Sequence, residues 1–255
     1  MKIATWNVNS LKVRLPHVVE WMGSAEPDVL VLQEIKQVTE DFPADTFREL
    51  GYVALASGQK TYNGVAVVSR TAPSDQVTDF PGFEDPQRRI LATTIDDIRI
   101  VNLYVPNGAS VGSDKYAYKL RWLEALRKFL EGELEVYERL LVLGDFNIAP
   151  EDQDVYDPVK WGDDILCSPL EREALRAVLD LGLTDVFRQF EQPENAFSWW
   201  DYRAAGFRRN AGLRIDLILA SKALAGACRA SYIDREPRTW ERPSDHTPVI
   251  AEFDV

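Results

Sequence analysis

Leu140-Leu141-Val142-Leu143, running into Gly144-Asp145-Phe146-Asn147, decides how this chain folds. Four successive apolar residues that stop abruptly at polar ones make a buried strand, and a strand apolar on both sides has to be covered on both. Val29-Leu30-Val31-Leu32, running into Gln33-Glu34, repeats the pattern. These two strands, at 29–33 and 140–144, are joined by β-type runs at 3–8, 52–56, 64–69, 90–95, 98–105, 213–220, 230–234 and 248–253. Helical spacing of apolar residues alternates with some of them: Leu11, Leu15, Val18 and Met22 within 11–24, and Leu170, Leu175 and Val178 within 169–181. Within 116–134, Leu120, Leu123, Leu126, Leu130 and Leu134 share one face, with Lys and Glu opposite. Asp96-Asp97 suits a tight hairpin turn. Two facing mixed β-sheets with helices outside satisfy this pattern, an α/β fold of the four-layer αββα sandwich kind.

Composition limits what such a fold is used for. The 255 residues, 45% of them apolar, can bury a large core. No linker, low-complexity run, like-charge block or internal repeat divides them, so residues 1–255 read as one domain. No window approaches the roughly 20 apolar positions that a membrane-spanning helix needs. Met1-Lys2 leads straight into a strand rather than a secretory signal. Cys167 and Cys228 are too few for a disulfide framework and lack zinc-site spacing, so a reducing, cytoplasmic compartment is expected. A net charge of −12 and a pI near 4.7 argue against loose nucleic-acid binding, which depends on Lys and Arg neutralising phosphates. Arg88-Arg89, Lys115/Lys119/Arg121, Arg203/Arg208/Arg209 and Arg238/Arg242 are local exceptions, suited either to a phosphate-contacting face or to ordinary solvated surface.

The polar groups at strand ends carry the chemistry. Asn7 alternates with apolar neighbours in Thr5-Trp6-Asn7-Val8, whereas Asn9 or Ser10 reads as the cap of the following helix. Glu34 sits at the rim of its sheet, facing water or a site, and offers hard oxygen to a cation such as magnesium. Gly144-Asp145-Phe146-Asn147 places a carboxylate and a carboxamide two residues apart on one side; the alternative is a turn that uses both for local backbone bonds. Asp145 could take a proton from water and Asn147 could donate to a phosphoryl oxygen. Tyr104, ending a strand before Val105-Pro106-Asn107-Gly108, could do likewise. Asp216 interrupts an apolar run and needs a partner, and His246, one of only two histidines, is the natural one. Asp216 holding His246 as imidazolium would supply a cationic donor.

Taken in order, Trp6-Asn7-Val8-Asn9, Leu32-Gln33-Glu34-Ile35-Lys36, Tyr104 to Gly108, Gly144 to Asn147, Leu213-Arg214-Ile215-Asp216 and Ser244-Asp245-His246 resemble the exonuclease III family of abasic-site endonucleases, nearly end to end. The resemblance implies the αββα fold and magnesium-dependent cleavage of double-stranded DNA 5′ to abasic sites, with manganese as a plausible substitute. It also implies trimming of blocked 3′ ends as exonuclease, phosphatase or phosphodiesterase, by a monomer with no membrane attachment. By the same likeness Glu34 binds the metal with Asn7 and Asp245, and Asp145, Asn147 and His246 complete the surrounding ligand set. Asp145 directs the attacking water. Asn147, Tyr104 and His246, steered by Asp216, grip the phosphate, with Asn107 beside Asp145. Trp199, Leu213 and Ile215 wall a pocket for the extruded sugar, Arg203 contacts substrate, and Trp200 is core. Animal members carry Arg where this chain has Ser110, and segment 161–168 has no readable motif. Two rival readings keep the fold: a phosphoesterase acting on a phospholipid or inositol phosphate, and a catalytically silent binding relative.

Overall fold

The computed structural model describes residues 1–255. The first half of the chain begins β1 (Lys2–Asn7), α1 (Leu11–Ala25), β2 (Val29–Gln33), α2 (Ala44–Glu49), β3 (Val53–Ser57) and β4 (Val65–Ser69). Then come β5 (Ser74–Val77), β6 (Ile90–Ile95), β7 (Ile98–Tyr104), α3 (Asp114–Val136) and β8 (Leu140–Asp145). The remainder is α4 (Pro158–Trp161), α5 (Pro169–Leu179), β9 (Thr184–Asp185), β10 (Asp216–Ala220), α6 (Lys222–Ala227), β11 (Cys228–Ile233) and β12 (Val249–Phe253). Two six-stranded sheets result, ordered β11-β12-β1-β2-β4-β3 and β5-β6-β7-β8-β10-β9.

Each sheet contains one parallel pair, β1 with β2 and β7 with β8, and is otherwise antiparallel. The parallel pairs follow from their connections, because α1 and α3 are the helical crossovers that parallel neighbours require. Alternation within a strand then assigns its residues to layers. Val29 and Val31 of β2 and Leu141 and Leu143 of β8 meet between the sheets, in a core shared with Ile3, Val67 and Ile100. Leu30 and Leu32 face outward onto α1 and α2. Leu140 and Val142 face outward onto Leu123, Leu126 and Leu130 of α3 and Leu175 and Val178 of α5. Both strands are apolar throughout because both of their faces are covered.

One polar tie crosses the inter-sheet layer beneath the rim. Gln33 Nε2 donates to Asn102 Oδ1 at 2.8 Å, and Asn102 Nδ2 donates to the carbonyls of Leu32 (3.1 Å) and Ala66 (2.8 Å). Asp96 and Asp97 form the expected hairpin turn, with φ of 46° and 65°, the left-handed pair that a two-residue loop favours.

Three expectations change. The strand expected over 213–220 begins only at Asp216, because Leu213 spends its backbone on isolated bridges to Val155 and Trp199. Ser10 occupies the cap position of α1 without any side-chain capping bond. Lys119, expected on the polar side of its helix, is 0% exposed. No helix is long and apolar enough to cross a membrane.

Candidate active site

The sheet topology delivers the polar residues to one rim. Asn7 closes β1, Glu34 follows β2, Tyr104 closes β7 and Asp145 closes β8, all at the carboxyl ends of the two parallel pairs. That is where α/β sheets usually hold ligands. β10 runs antiparallel to β8, so its first residue, Asp216, stands in register with Asp145. On the other side of β8, Gly144 permits the close approach of β7, since its φ is +146° and a Cβ there would lie 1.9 Å from the Leu103 carbonyl oxygen. His246 arrives from the far side. β12 pairs antiparallel with β1, so the residues preceding it emerge beside Asn7. Ser244 Oγ donates to the Asn7 carbonyl (2.7 Å) and Trp6 Nε1 to that of His246 (3.3 Å).

At the centre, ligand atoms of Glu34, Asp145 and His246 lie within 4.8 Å of one another. Asn7 Nδ2 bridges the two carboxylates, 2.9 Å from Glu34 Oε1 and 2.9 Å from Asp145 Oδ2. Tyr104 Oη donates to Glu34 Oε1 at 3.0 Å. His246 Nδ1 meets both oxygens of Asp216, at 2.8 and 3.1 Å, while its Nε2 points at Asp145 Oδ2, 3.7 Å away. Ser198 Oγ donates to Asp216 at 2.6 Å and steadies that carboxylate. Asn147 Nδ2 donates to Asp145 Oδ2 (3.2 Å), and Asn147 N donates to Asp145 Oδ1 (2.8 Å).

These contacts set the proton affinities. Burial drives Asp145 up, opposed by His246 and reinforced by Asp216, and leaves it at about 7. Burial works against a charged His246, but Asp216 and Asp145 outweigh it and push the imidazole up to about 10. Burial also raises the Glu34 carboxyl, yet Lys36 beside it prevails and its pKa falls below the usual range. Tyr104 is held well above its ordinary value by burial and by Glu34, so its phenol stays a donor.

The donor set suits a hard cation: two carboxylates converge on one point, and a flip of the Asn7 amide would add its oxygen there while giving up the bond that oxygen now accepts from Asn9 N (3.0 Å). His246 fits less well as a ligand, because an imidazolium has no lone pair to offer. Asp245 lies outside the central cluster. Its oxygens accept from Asn9 Nδ2 (2.9 Å) and Trp199 Nε1 (3.0 Å). Asn147 likewise has its oxygen occupied by Asn107 Nδ2 (3.2 Å), so Asn107 reaches Asn147 rather than Asp145.

Asn9, read as a helix cap, belongs to the rim. It accepts from Lys36 Nζ (2.5 Å) and donates to Asp245, and Lys36 Nζ is also 2.7 Å from Glu34 Oε2. Asn9, Glu34, Lys36 and Asn147 all have left-handed φ of 45–54°, an uncommon concentration for residues other than glycine. Leu213 and Ile215 are 0% and 1% exposed, in a small apolar cluster that Trp199 covers. A cavity of about 300 Å³ opens beside Trp199, lined also by Tyr156, Trp161, Arg203 and Arg209. Arg203 itself is 88% exposed and paired with Asp201 at 2.7 Å. Trp200 is buried as expected.

A model of the family described as "Endonuclease/Exonuclease/phosphatase family" matches residues 4–246, which contain every residue of this rim. The chain belongs to that family. The endonuclease/exonuclease/phosphatase likeness extends over whole relatives. Exodeoxyribonuclease III of Haemophilus influenzae is 38% identical across 99% of this chain and 100% of its own. A solved 3′-5′ exonuclease from Neisseria meningitidis is 50% identical, with TM-score 0.98 and complete coverage of both chains. An AP endonuclease structure from Archaeoglobus fulgidus is 39% identical, with TM-score 0.96 and complete coverage of both chains. The chain is accordingly a nuclease of the exodeoxyribonuclease III and AP endonuclease type.

Proposed function

We propose that this nuclease hydrolyses the phosphodiester 5′ to abasic sites in double-stranded DNA with magnesium, and also cleans blocked 3′ ends by 3′→5′ exonuclease and 3′-phosphatase or phosphodiesterase action. One observation carries the reading: Glu34, Asp145, Asn147, Tyr104 and the Asp216–His246 pair, from both sheets, surround a single point. Glu34, Asp145 and a flipped Asn7 would hold the metal, which supplies positive charge against the phosphoryl oxygens and a template for the attack. Manganese would serve in the same oxygen-rich set.

Asp145, with a pKa near working pH, orients a water and receives its proton as the water oxygen attacks phosphorus. The bond from phosphorus to the departing 3′ oxygen breaks, and that oxygen takes a proton from solvent water, leaving a 3′-hydroxyl on the upstream strand. Nε2–H of the His246 imidazolium donates to the phosphoryl oxygens as negative charge gathers there; the Tyr104 phenol joins it on leaving Glu34, and the Asn147 amide on leaving Asp145 Oδ2, the longer of its two bonds. Asp216 and Ser198 hold the imidazole in the orientation this requires.

The substrate's displaced unit enters the cavity beside Trp199; Leu213 and Ile215 do not line it but pack behind the indole that walls it. A unit without a base is the easiest to extrude there. A second cavity of about 570 Å³, bounded by Tyr62, Arg89, Tyr104, Asn107 and Lys115, receives the strand on the opposite flank. Lys160 and Arg209 add positive charge beside the Trp199 cavity on an acidic protein, against Asp164 and an Arg203 already paired with Asp201. All of these side chains come from one domain, residues 1–255, and the proposed chemistry asks for no residue from a second copy. The two buried, unpaired cysteines support a reducing cytoplasmic setting. The deciding assay incubates a duplex carrying one tetrahydrofuran site, beside 3′-phosphate and matched-end duplexes, with magnesium and then with chelator. Metal-dependent incision is expected; absence of cleavage on all three would remove the proposal.

A further inference from the structure

We infer that Lys119, buried behind the rim and reached from α3, is a positioning residue for phosphodiester cleavage: its ammonium fixes the backbone of the two loops that present Asn107 and Asn147. The inference rests on the reading of this site as a phosphodiester hydrolase. Lys119 Nζ donates to the Asn147 carbonyl at 2.7 Å, to the Asn107 carbonyl at 3.2 Å and to Glu171 Oε1 of α5. An ammonium has three donors, and each has an acceptor. Lys119 and Glu171 are both 0% exposed.

A tie between two helices would need only the carboxylate. Here two of the three bonds go instead to carbonyls of loops that follow β7 and β8. Asn147 needs such a hold, because its φ of 49° is left-handed and its side-chain oxygen and amide are already committed to Asn107, Val105 and Asp145. Asn107 is fixed only through that same Asn147 oxygen and a local bond from Ala109 N. Gly108 lets the first loop close onto the lysine stem: its φ is +92°, and a Cβ would sit 3.1 Å from Lys119 Cδ and 2.8 Å from Ile165 Cδ1.

Glu171 is braced in turn, accepting from Ser168 N (3.1 Å), Ser168 Oγ (2.6 Å) and Leu166 N (3.2 Å). Segment 161–168, which carries no readable motif, therefore connects to the phosphate-gripping amides through one buried ion pair.

Lys119→Met alone would strand a buried carboxylate and threaten folding, so the test uses Lys119→Met with Glu171→Gln, which removes both charges at similar volume. The double variant should remain folded by circular dichroism and thermal melting. On the tetrahydrofuran duplex its kcat should fall roughly 10²-fold with KM unchanged, as expected for loss of alignment rather than of binding. Amide exchange at Ala109, Asn147 and Ala149 should quicken while that of β8 is unchanged. A folded double variant with wild-type kcat and wild-type exchange would overturn the inference. So would a loss of activity that tracks only the unfolded fraction. If wild-type protein cleaves none of the duplexes, the proposed function fails, while the exchange measurement still decides whether Lys119 fixes the loops.

Discussion

Replacing Asp216 by Asn keeps the shape of the rim and removes one charge, which makes it the sharpest probe of how His246 works. Both Asp216 oxygens lie within 3.1 Å of His246 Nδ1, and Asp216 is the foremost of the groups opposing the burial of the imidazolium. Without that charge the imidazole should return from about 10 toward its ordinary 6.5. At pH 8 the charged form would then drop from about 100:1 in excess to about 1:30, a difference on the order of 5 kcal/mol in proton affinity. The wild-type rate should rise as Asp145 loses its proton, below the metal-free value of about 7 because magnesium competes for that carboxylate, and decline only as His246 loses its own through about 10. In Asp216→Asn both limbs should move to lower pH, because Asp216 also raises Asp145. The activity plateau should collapse, leaving roughly a 30-fold deficit at pH 8 that nearly closes toward pH 6. The assay is single-turnover cleavage of the tetrahydrofuran duplex at saturating magnesium across this range. An equal loss at every pH would refute the imidazolium role.

Metal should stabilise the protein more at high pH than at low. In chelator, stability should fall as pH rises from about 4 to 7, since folded Asp145 holds a proton that the unfolded chain has released, while the His246 contribution, complete below 6.5, fades as pH rises through about 10. Magnesium competes with the Asp145 proton, so the gain in Tm on adding it should grow through about pH 7; a gain that is flat or larger at pH 6 would contradict this. Arg214→Met should cost about 3–5 kcal/mol by urea unfolding, since it strands the carboxylates of Asp154 and Asp185, toward the lower end because Arg188 still pairs with Asp154. Trp199→Ala should raise KM on the abasic duplex about tenfold with kcat little changed, because it opens the cavity wall without touching the reacting atoms; a fall in kcat alone would place the indole in the chemistry.

The elements legible in the sequence are those whose burial leaves a periodic trace. β2 and β8 declare themselves because both faces are covered, and α3 and α5 because one face is. β5 escapes notice because Ser-Asp-Gln-Val is a polar edge strand, and β9 because it has only two residues. α2 and α6, six residues each, are too short to show a period. Among the site residues, Glu34, Asp145, Asp216 and His246 interrupt or end apolar runs, which makes them visible. Asn9 does not, since an asparagine before a helix has an ordinary local use, and only the fold brings Asp245 within 2.9 Å of it. Ser198 and Lys36 are similarly anonymous: their partners lie on other strands and loops. Lys119 is the most thoroughly hidden, a lysine among lysines on an amphipathic helix whose acceptors lie in two distant loops.

The residue-for-residue pairing of Asp145 with Asp216 across β8 and β10 makes this part of the molecule behave like a reading frame. Side chains alternate faces along each strand, so adding or deleting a single position inside either one would swing a carboxylate away from its neighbour and into the apolar layers. A point substitution within β8 or β10 leaves this pairing in register; an inserted or deleted residue does not.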